Sequence, residues 1–158
     1  SISKVKDIAY ELRPIVLDDL GLKEAIEWEA KKFQTSTGIH CTIQSTDQHV
    51  RIEKKRAAAV FRIFQEALTN VARHANASLV DIRVKLETAD MVLEITDNGK
   101  GIEESELQKV KSLGILGMKE RAQILRGSIS IGSLNGTGTR VMLTVPLRGK
   151  KNGGRKKM

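Results

Sequence analysis

From residue 53 to residue 75 the apolar side chains recur at helical spacing, as Ala57, Val60/Phe61, Phe64, Ala67/Leu68, Val71 and Ala75. Shortly afterwards the period drops to two: Val80, Ile82, Val84 and Leu86, then Met91, Leu93 and Ile95, joined by a short polar turn around residues 88–90. A one-sided helix followed by a one-sided hairpin must bury the two stripes against each other, because neither can leave its apolar face in water. Residues 39–43 alternate as a shorter strand, and residues 128–133 and 139–147 make two more on either side of a glycine-rich turn. Helical spacing also marks residues 2–12, interrupted by Pro14, and a second stripe of Leu22, Ala25/Ile26, Glu29/Ala30 and Phe33. Asp18 and Asp19 are placed to cap that second helix and Gly38 to end it. Residues 117–125 read as a last helix, ended by Gly127. Strands and helices are mixed without regular alternation, and the later strands have hairpin-length connections. That pattern predicts an α+β sandwich, a mostly antiparallel mixed sheet with helices on one face, and not a doubly wound sheet.

At 158 residues the chain is one domain with short flanking pieces. Aromatics are only 3%, so the core is built from Leu, Ile, Val and Ala, and stacking platforms for bases are not expected. One cysteine, Cys41, excludes an intrachain disulfide framework, and no Cys/His grouping has zinc spacing. The longest apolar run, residues 57–61, is far too short to cross a bilayer, and there is no signal-peptide pattern. The chain starts at a serine and is expected to be a fragment. A net charge of +8 first suggests nucleic acid, but the charge is concentrated. Residues 148–158 hold Arg148, Lys150, Lys151, Arg155, Lys156 and Lys157 with no acid, so the remainder carries only +2. Interleaved with glycines, this segment is expected to be a disordered basic tail without a nucleic-acid role.

The long helix carries a second, polar stripe. Glu66 and Asn70 are four apart, and Arg73 and His74 follow three and four beyond Asn70. A carboxylate, an amide oxygen and a cation on one flank can activate a hydroxyl, hold a hard cation and meet a phosphate, although a solvated flank has the same composition. Asp97-Asn98-Gly99-Lys100-Gly101 ends the second alternating run. Asn-Gly alone signals an ordinary turn, but the preceding aspartate at a strand end can accept a hydrogen bond from an exocyclic amine. Gly101 would let a flat ring approach the backbone. Gly114 and Gly117 bracket a helix start, where unpaired N–H groups favour phosphate. Gly136-Thr137-Gly138-Thr139 is a third glycine-rich turn. Neither a Gly-x-x-x-x-Gly-Lys-Ser/Thr loop nor a Gly-x-Gly-x-x-Gly fingerprint is present.

The order of these elements is specific. FRIFQEALTNVARHANA (61–77), DNGKGI (97–102), GILGMKERAQILRGSISI (114–131) and GTGTRVMLTVPL (136–147) resemble the four ATP-binding boxes of the gyrase/Hsp90/histidine-kinase/MutL superfamily. The resemblance is nearest to the ATP-binding domain of bacterial sensor histidine kinases that partner NarL/LuxR-type response regulators. LRPIVLDDLGLKEAI (12–26) looks like the junction with a dimerisation helix, and the likeness covers residues 8–147. It implies a Bergerat α/β sandwich over residues 14–147, preceded in residues 1–13 by the end of a dimerisation helix and followed by the basic tail.

The resemblance also implies roles. Asn70 would ligate Mg²⁺ bridging the ATP phosphates, and Glu66 would orient or deprotonate the attacking group. Arg73 and His74 match positions that contact phosphate or lid. Asp97 would accept from the adenine amine, with Gly99 and Gly101 leaving room for the ring and Thr139 assisting Asp97 through a hydroxyl or a shared water. Gly114 and Gly117 match lid glycines, and Ile102, Met118 and Thr137, within the same stretches, would line the nucleotide. About a dozen residues separate Gly101 from Gly114, a short polar lid that fits the NarL-partner group and not Hsp90, gyrase or MutL. His40, His49 and His74 all lack the setting of a phosphoacceptor, so the accepting histidine is expected on dimerisation helices outside this chain. The resemblance implies a protein-histidine kinase using ATP and Mg²⁺, cytoplasmic, from a homodimeric parent that is either soluble or membrane-anchored. A non-catalytic ATP-binding regulatory module of the same superfamily is the alternative, and intact Glu66 and Asn70 weigh against it.

Overall fold

The computed structural model describes residues 15–46, 49–102, 105, 113–134 and 137–149. The expected dimerisation-helix end in residues 1–13, nearly all of the expected lid, Gly136 and the basic tail from residue 150 lie outside the described residues.

Helix α1 spans Ile15–Leu20 and α2 Leu22–Thr37, with Gly21 between them at φ 98°. The expectation that Asp18 and Asp19 cap the second helix is therefore corrected: both lie within α1, and the glycine makes the break. Gly38 ends α2 as the spacing predicts, left-handed at φ 74° with its N–H bonded to the Gln34 carbonyl at 2.9 Å. Strand β1 is His40–Ser45 and α3 is Lys54–Asn70. The apolar stripe predicts one α-helix to residue 75, but the last turn, Val71–Ala75, is π-helical and closes on Asn76 at φ 50°. Strands β2 (Leu79–Glu87) and β3 (Asp90–Asp97) form the expected hairpin. Helix α4 (Leu113–Ile124), β4 (Ser128–Ser133) and β5 (Thr139–Pro146) complete the described elements.

The five strands order as β1-β2-β3-β5-β4. All neighbours are antiparallel except β1 and β2, which run parallel because α3 carries the chain back between them. This is the mixed, mostly antiparallel sheet of an α+β sandwich. One face offers Val80, Ile82 and Val84 of β2, Met91, Leu93 and Ile95 of β3, and Val141, Leu143 and Val145 of β5, all buried. The helices cover that face, with α3 between α2 and α4. From α3 come Val60, Phe61, Ile63, Phe64, Ala67 and Leu68, and from α4 come Ile115, Met118 and Ala122, three and four apart. The other face is polar: Thr42 Oγ1 donates to Asp81 Oδ1 and Arg83 Nε to Asp81 Oδ2, both at 2.8 Å. No helix among the described residues is long and apolar enough to cross a membrane.

Candidate nucleotide site

The chemistry-bearing residues gather at one end of the sheet, where β3 finishes, β5 begins and α3 passes into its π-helical turn. Asp97 is the last residue of β3 and, by strand alternation, points to the helix side; it is only 5% exposed. Its Oδ1 accepts the Gly99 N–H at 2.8 Å. Burial pushes the Asp97 carboxyl above the usual carboxylate range, and backbone N–H groups of Gly99 and Thr139 pull partly against that. Thr139 is likewise buried and starts β5, so it reaches Asp97 through its backbone N–H. Between them the chain is pressed tight. A Cβ at Gly138 would collide with the Asp97 carbonyl, and at φ 88° that position suits only glycine.

The turn after Asp97 is locked to the end of α3. Lys100 N–H donates to the Ala75 carbonyl at 2.8 Å, and a Cβ on Gly99 would run into that carbonyl. Apart from any room it leaves for a ring, Gly99 is held to glycine by the Ala75 backbone. Gly101, at φ 80°, faces Ser133 Oγ and the Gly138 carbonyl. Ser133 Oγ in turn accepts the Ile102 N–H at 3.0 Å and donates to the Ile102 carbonyl at 2.6 Å, fixing where the chain leaves the sheet.

Glu66 and Asn70 are both half-buried on α3, one turn apart, just before the π-helical turn. A Cβ at Gly114 would collide with Glu66 Oε1, so the first turn of α4 lies directly against this carboxylate. Gly114 and Gly117 both sit inside α4 (Leu113–Ile124), whereas the sequence suggests a helix beginning only at Gly117. The first described turn of α4 is thus beside Glu66. Arg73 is exposed on the π-helical turn, and His74 belongs to the same turn. Thr137 is exposed, its N–H bonded to the Leu134 carbonyl at 3.2 Å. Ile102 is half-buried at the rim. Met118 is 0% exposed and belongs to the core.

Among the described residues no three or more His, Cys, Asp or Glu side chains cluster to hold a metal. The amide and carboxylate oxygens of Asn70 and Glu66 are hard donors that suit Mg²⁺ only when phosphate oxygens complete the shell, which is how Mg²⁺ is ordinarily held at nucleotides. An open groove of about 480 Å³, lined by Leu17, Gly21, His49, Ile52 and Leu147 among others, lies at the opposite end of the sheet and contains none of these residues. Residues that sequence reasoning missed are Asn98, Ser78, Ser133 and the Ala75 carbonyl. Asn98 stood in a recognised motif but had no assigned role; the other three carry no local signal.

Residues 55–149 match the family described as histidine kinase-, DNA gyrase B- and HSP90-like ATPases. The chain is 35% identical over 147 residues to the signal transduction histidine-protein kinase/phosphatase DegS of Brevibacillus brevis, covering 93% of this chain and 38% of that protein. It is 34% identical over 146 residues to the oxygen sensor histidine kinase NreB of Staphylococcus carnosus, covering 92% of this chain and 42% of that one. The fold is similar to the histidine kinase domain of a blue-light activated kinase of Erythrobacter litoralis, with TM-score 0.66, 22% identity, and 77% of this chain and 59% of that chain covered. It is also similar to the mycobacterial sensor histidine kinase MprB, with TM-score 0.63, 19% identity, and 80% and 95% covered. This chain belongs to the histidine kinase-, DNA gyrase B- and HSP90-like ATPase family. It spans about two fifths of the length of the curated relatives it matches.

Proposed function

We propose that residues 14–147 form the ATP-binding catalytic domain of a two-component sensor histidine kinase. The domain would bind Mg-ATP and pass the γ-phosphoryl group to a histidine on a dimerisation domain outside this chain, for relay to a NarL/LuxR-type response regulator. The observation that carries the reading is the buried Asp97 carboxylate at a strand end, gripped by backbone N–H groups, with Glu66, Asn70 and the α4 start along the neighbouring helix end. A homodimeric parent working in the cytoplasm, whether or not it is anchored in a membrane, accords with the named relatives being sensor kinases.

Each residue then has a physical task. Asp97 accepts the adenine N6–H, and a desolvated carboxylate makes that bond selective because leaving it unmade is costly. Asn70 holds Mg²⁺ together with the phosphates, and the metal when bound supplies charge neutralisation there. Glu66 would orient the incoming imidazole or take its proton, while Arg73, His74 and the backbone N–H groups around Gly114 would contact the phosphates. Gly117, Ile102, Thr137 and Thr139 shape the rim and the base side. Phosphoryl transfer needs little covalent help from protein, so positioning and electrostatics account for most of the rate.

The test mixes this chain with separately prepared acceptor helices of the parent and γ-labelled ATP. Label on a histidine of the acceptor, lost with Glu66→Gln and Asn70→Ala, is the expected result. Tight ATP binding with no transfer would instead establish a non-catalytic regulatory module.

A further inference from the structure

We infer that Asn98 is a positioning residue that couples the base end of the nucleotide site to its metal end; this rests on the nucleotide reading above. Asn98 follows Asp97 and faces the opposite way: Asp97 is buried and Asn98 exposed. A turn asparagine ordinarily bonds backbone one or two residues along. Asn98 instead reaches across the sheet to Ser78 and Leu79. Its Oδ1 accepts the Ser78 N–H at 2.9 Å and the Leu79 N–H at 3.0 Å. Its Nδ2 donates to Ser78 Oγ at 2.9 Å, and its backbone N–H donates to the Leu79 carbonyl at 3.2 Å.

These bonds fall at a strategic place in the chain. Asn70 ends α3, the π-helical turn occupies Val71–Ala75, and β2 starts at Leu79. A π-helical turn is a poorer, wider coil than the α-helix and needs tertiary support to persist. Here it receives support at its far end, from the Lys100 N–H on the Ala75 carbonyl and from Asn98 on the next residues of the chain. The turn bearing Asp97 and the coil bearing Asn70 are consequently one bonded unit. If Asn98 lets go, the exit of the π-helical turn keeps only the Lys100 anchor, and Asn70 can shift relative to Asp97.

Coupling of this kind is read as linkage between two ligands, not as stability. The measurement is calorimetric affinity for a non-hydrolysable ATP analogue with and without Mg²⁺, in wild type, Asn98→Ala, Asn98→Asp, Asn98→Ser and Ser78→Ala. In wild type Mg²⁺ is expected to tighten binding. In Asn98→Ala that tightening should shrink by about fivefold or more, with a smaller loss of Mg²⁺-free affinity. Asn98→Asp keeps the acceptor for both backbone N–H groups and should restore most of it. A folded Asn98→Ala whose Mg²⁺ enhancement equals wild type overturns the inference, whatever its melting temperature. Ser78→Ala removes only the Nδ2 bond that Asn98→Asp also gives up, so it should likewise keep most of the enhancement, and its loss there would overturn the assignment to the Oδ1 bonds. Should Asn98→Ala not fold, Asn98→Ser decides, because its shorter side chain cannot span both backbone N–H groups: a reduced enhancement supports the coupling and an unchanged one overturns it. Wild type that ignores nucleotide or Mg²⁺ would instead overturn the nucleotide reading, and the inference with it.

Discussion

Ionised Asp97 is costly in this fold, since burial raises its pKa and the N–H groups of Gly99 and Thr139 offset only part of the rise. A carboxyl raised above its unfolded value of about 3.9 contributes stability that is complete below that value and lost as pH climbs through the folded one. Asp97→Asn is therefore expected to be more stable than wild type at pH 7 in urea melts, with the gap closing at about pH 4 and below. The same variant should lose nucleotide affinity; Asp97→Ala binding ATP as tightly as wild type would refute the base-site assignment. Glycines separate as sharply. Gly99→Ala drives a Cβ into the Ala75 carbonyl and should cost about 2 kcal/mol or more in thermal melts, as overpacking does. Gly132→Ala, where nothing lies within 4 Å of the added carbon, should stay within about 0.5 kcal/mol of wild type. The motif alone marks Gly99 as special, but only the packed structure shows that the Ala75 backbone demands glycine there.

The helices and strands were mostly legible because their faces are one-sided. The stripe on α3, the alternation in β2 and β3, and the Gly38 cap all follow local periodicity or local φ preference. What escaped is where tertiary contacts overrule local pattern. The π-helical turn keeps the helical apolar stripe through Val71 and Ala75, so periodicity cannot distinguish it from α-helix. Its last carbonyl, at Ala75, is bonded by the N–H of Lys100, remote in the chain. Likewise the parallel pairing of β1 with β2 depends on α3 crossing over, which no residue of β1 announces. Arg56 shows a similar remote tie, with Nε donating to the Pro146 carbonyl at 3.0 Å and Nη2 to the Leu125 carbonyl at 2.6 Å. It joins the start of α3 to the ends of β5 and α4. Arg56→Met removes two charge-assisted bonds and should cost about 2–3 kcal/mol in urea unfolding. Nucleotide affinity should hold, because these contacts lie at the end of β5 away from Thr139.

Ligand binding to the native state alone stabilises the entire domain by mass action. A nucleotide at about a hundredfold above its Kd adds about 2.7 kcal/mol. For a domain of this size that corresponds to a rise of about 5–10 °C in Tm. Wild type with Mg-ATP should show it, and Asp97→Ala should not. The site behind this expectation is assembled from four separate stretches of chain, each a weak signal by its own composition. Their order along the chain is what carries the family resemblance, and the α+β class and the aliphatic core are legible beside it. Those features are legible because they depend on side-chain type, spacing and neighbouring φ preferences, all written locally. The full burial of Met118, the seating of Gly114 on Glu66, the raised carboxyl of Asp97 and the Asn98 ties to Ser78 and Leu79 depend on distances between residues far apart in the chain. Such distances exist only once the helix layer has closed on the sheet.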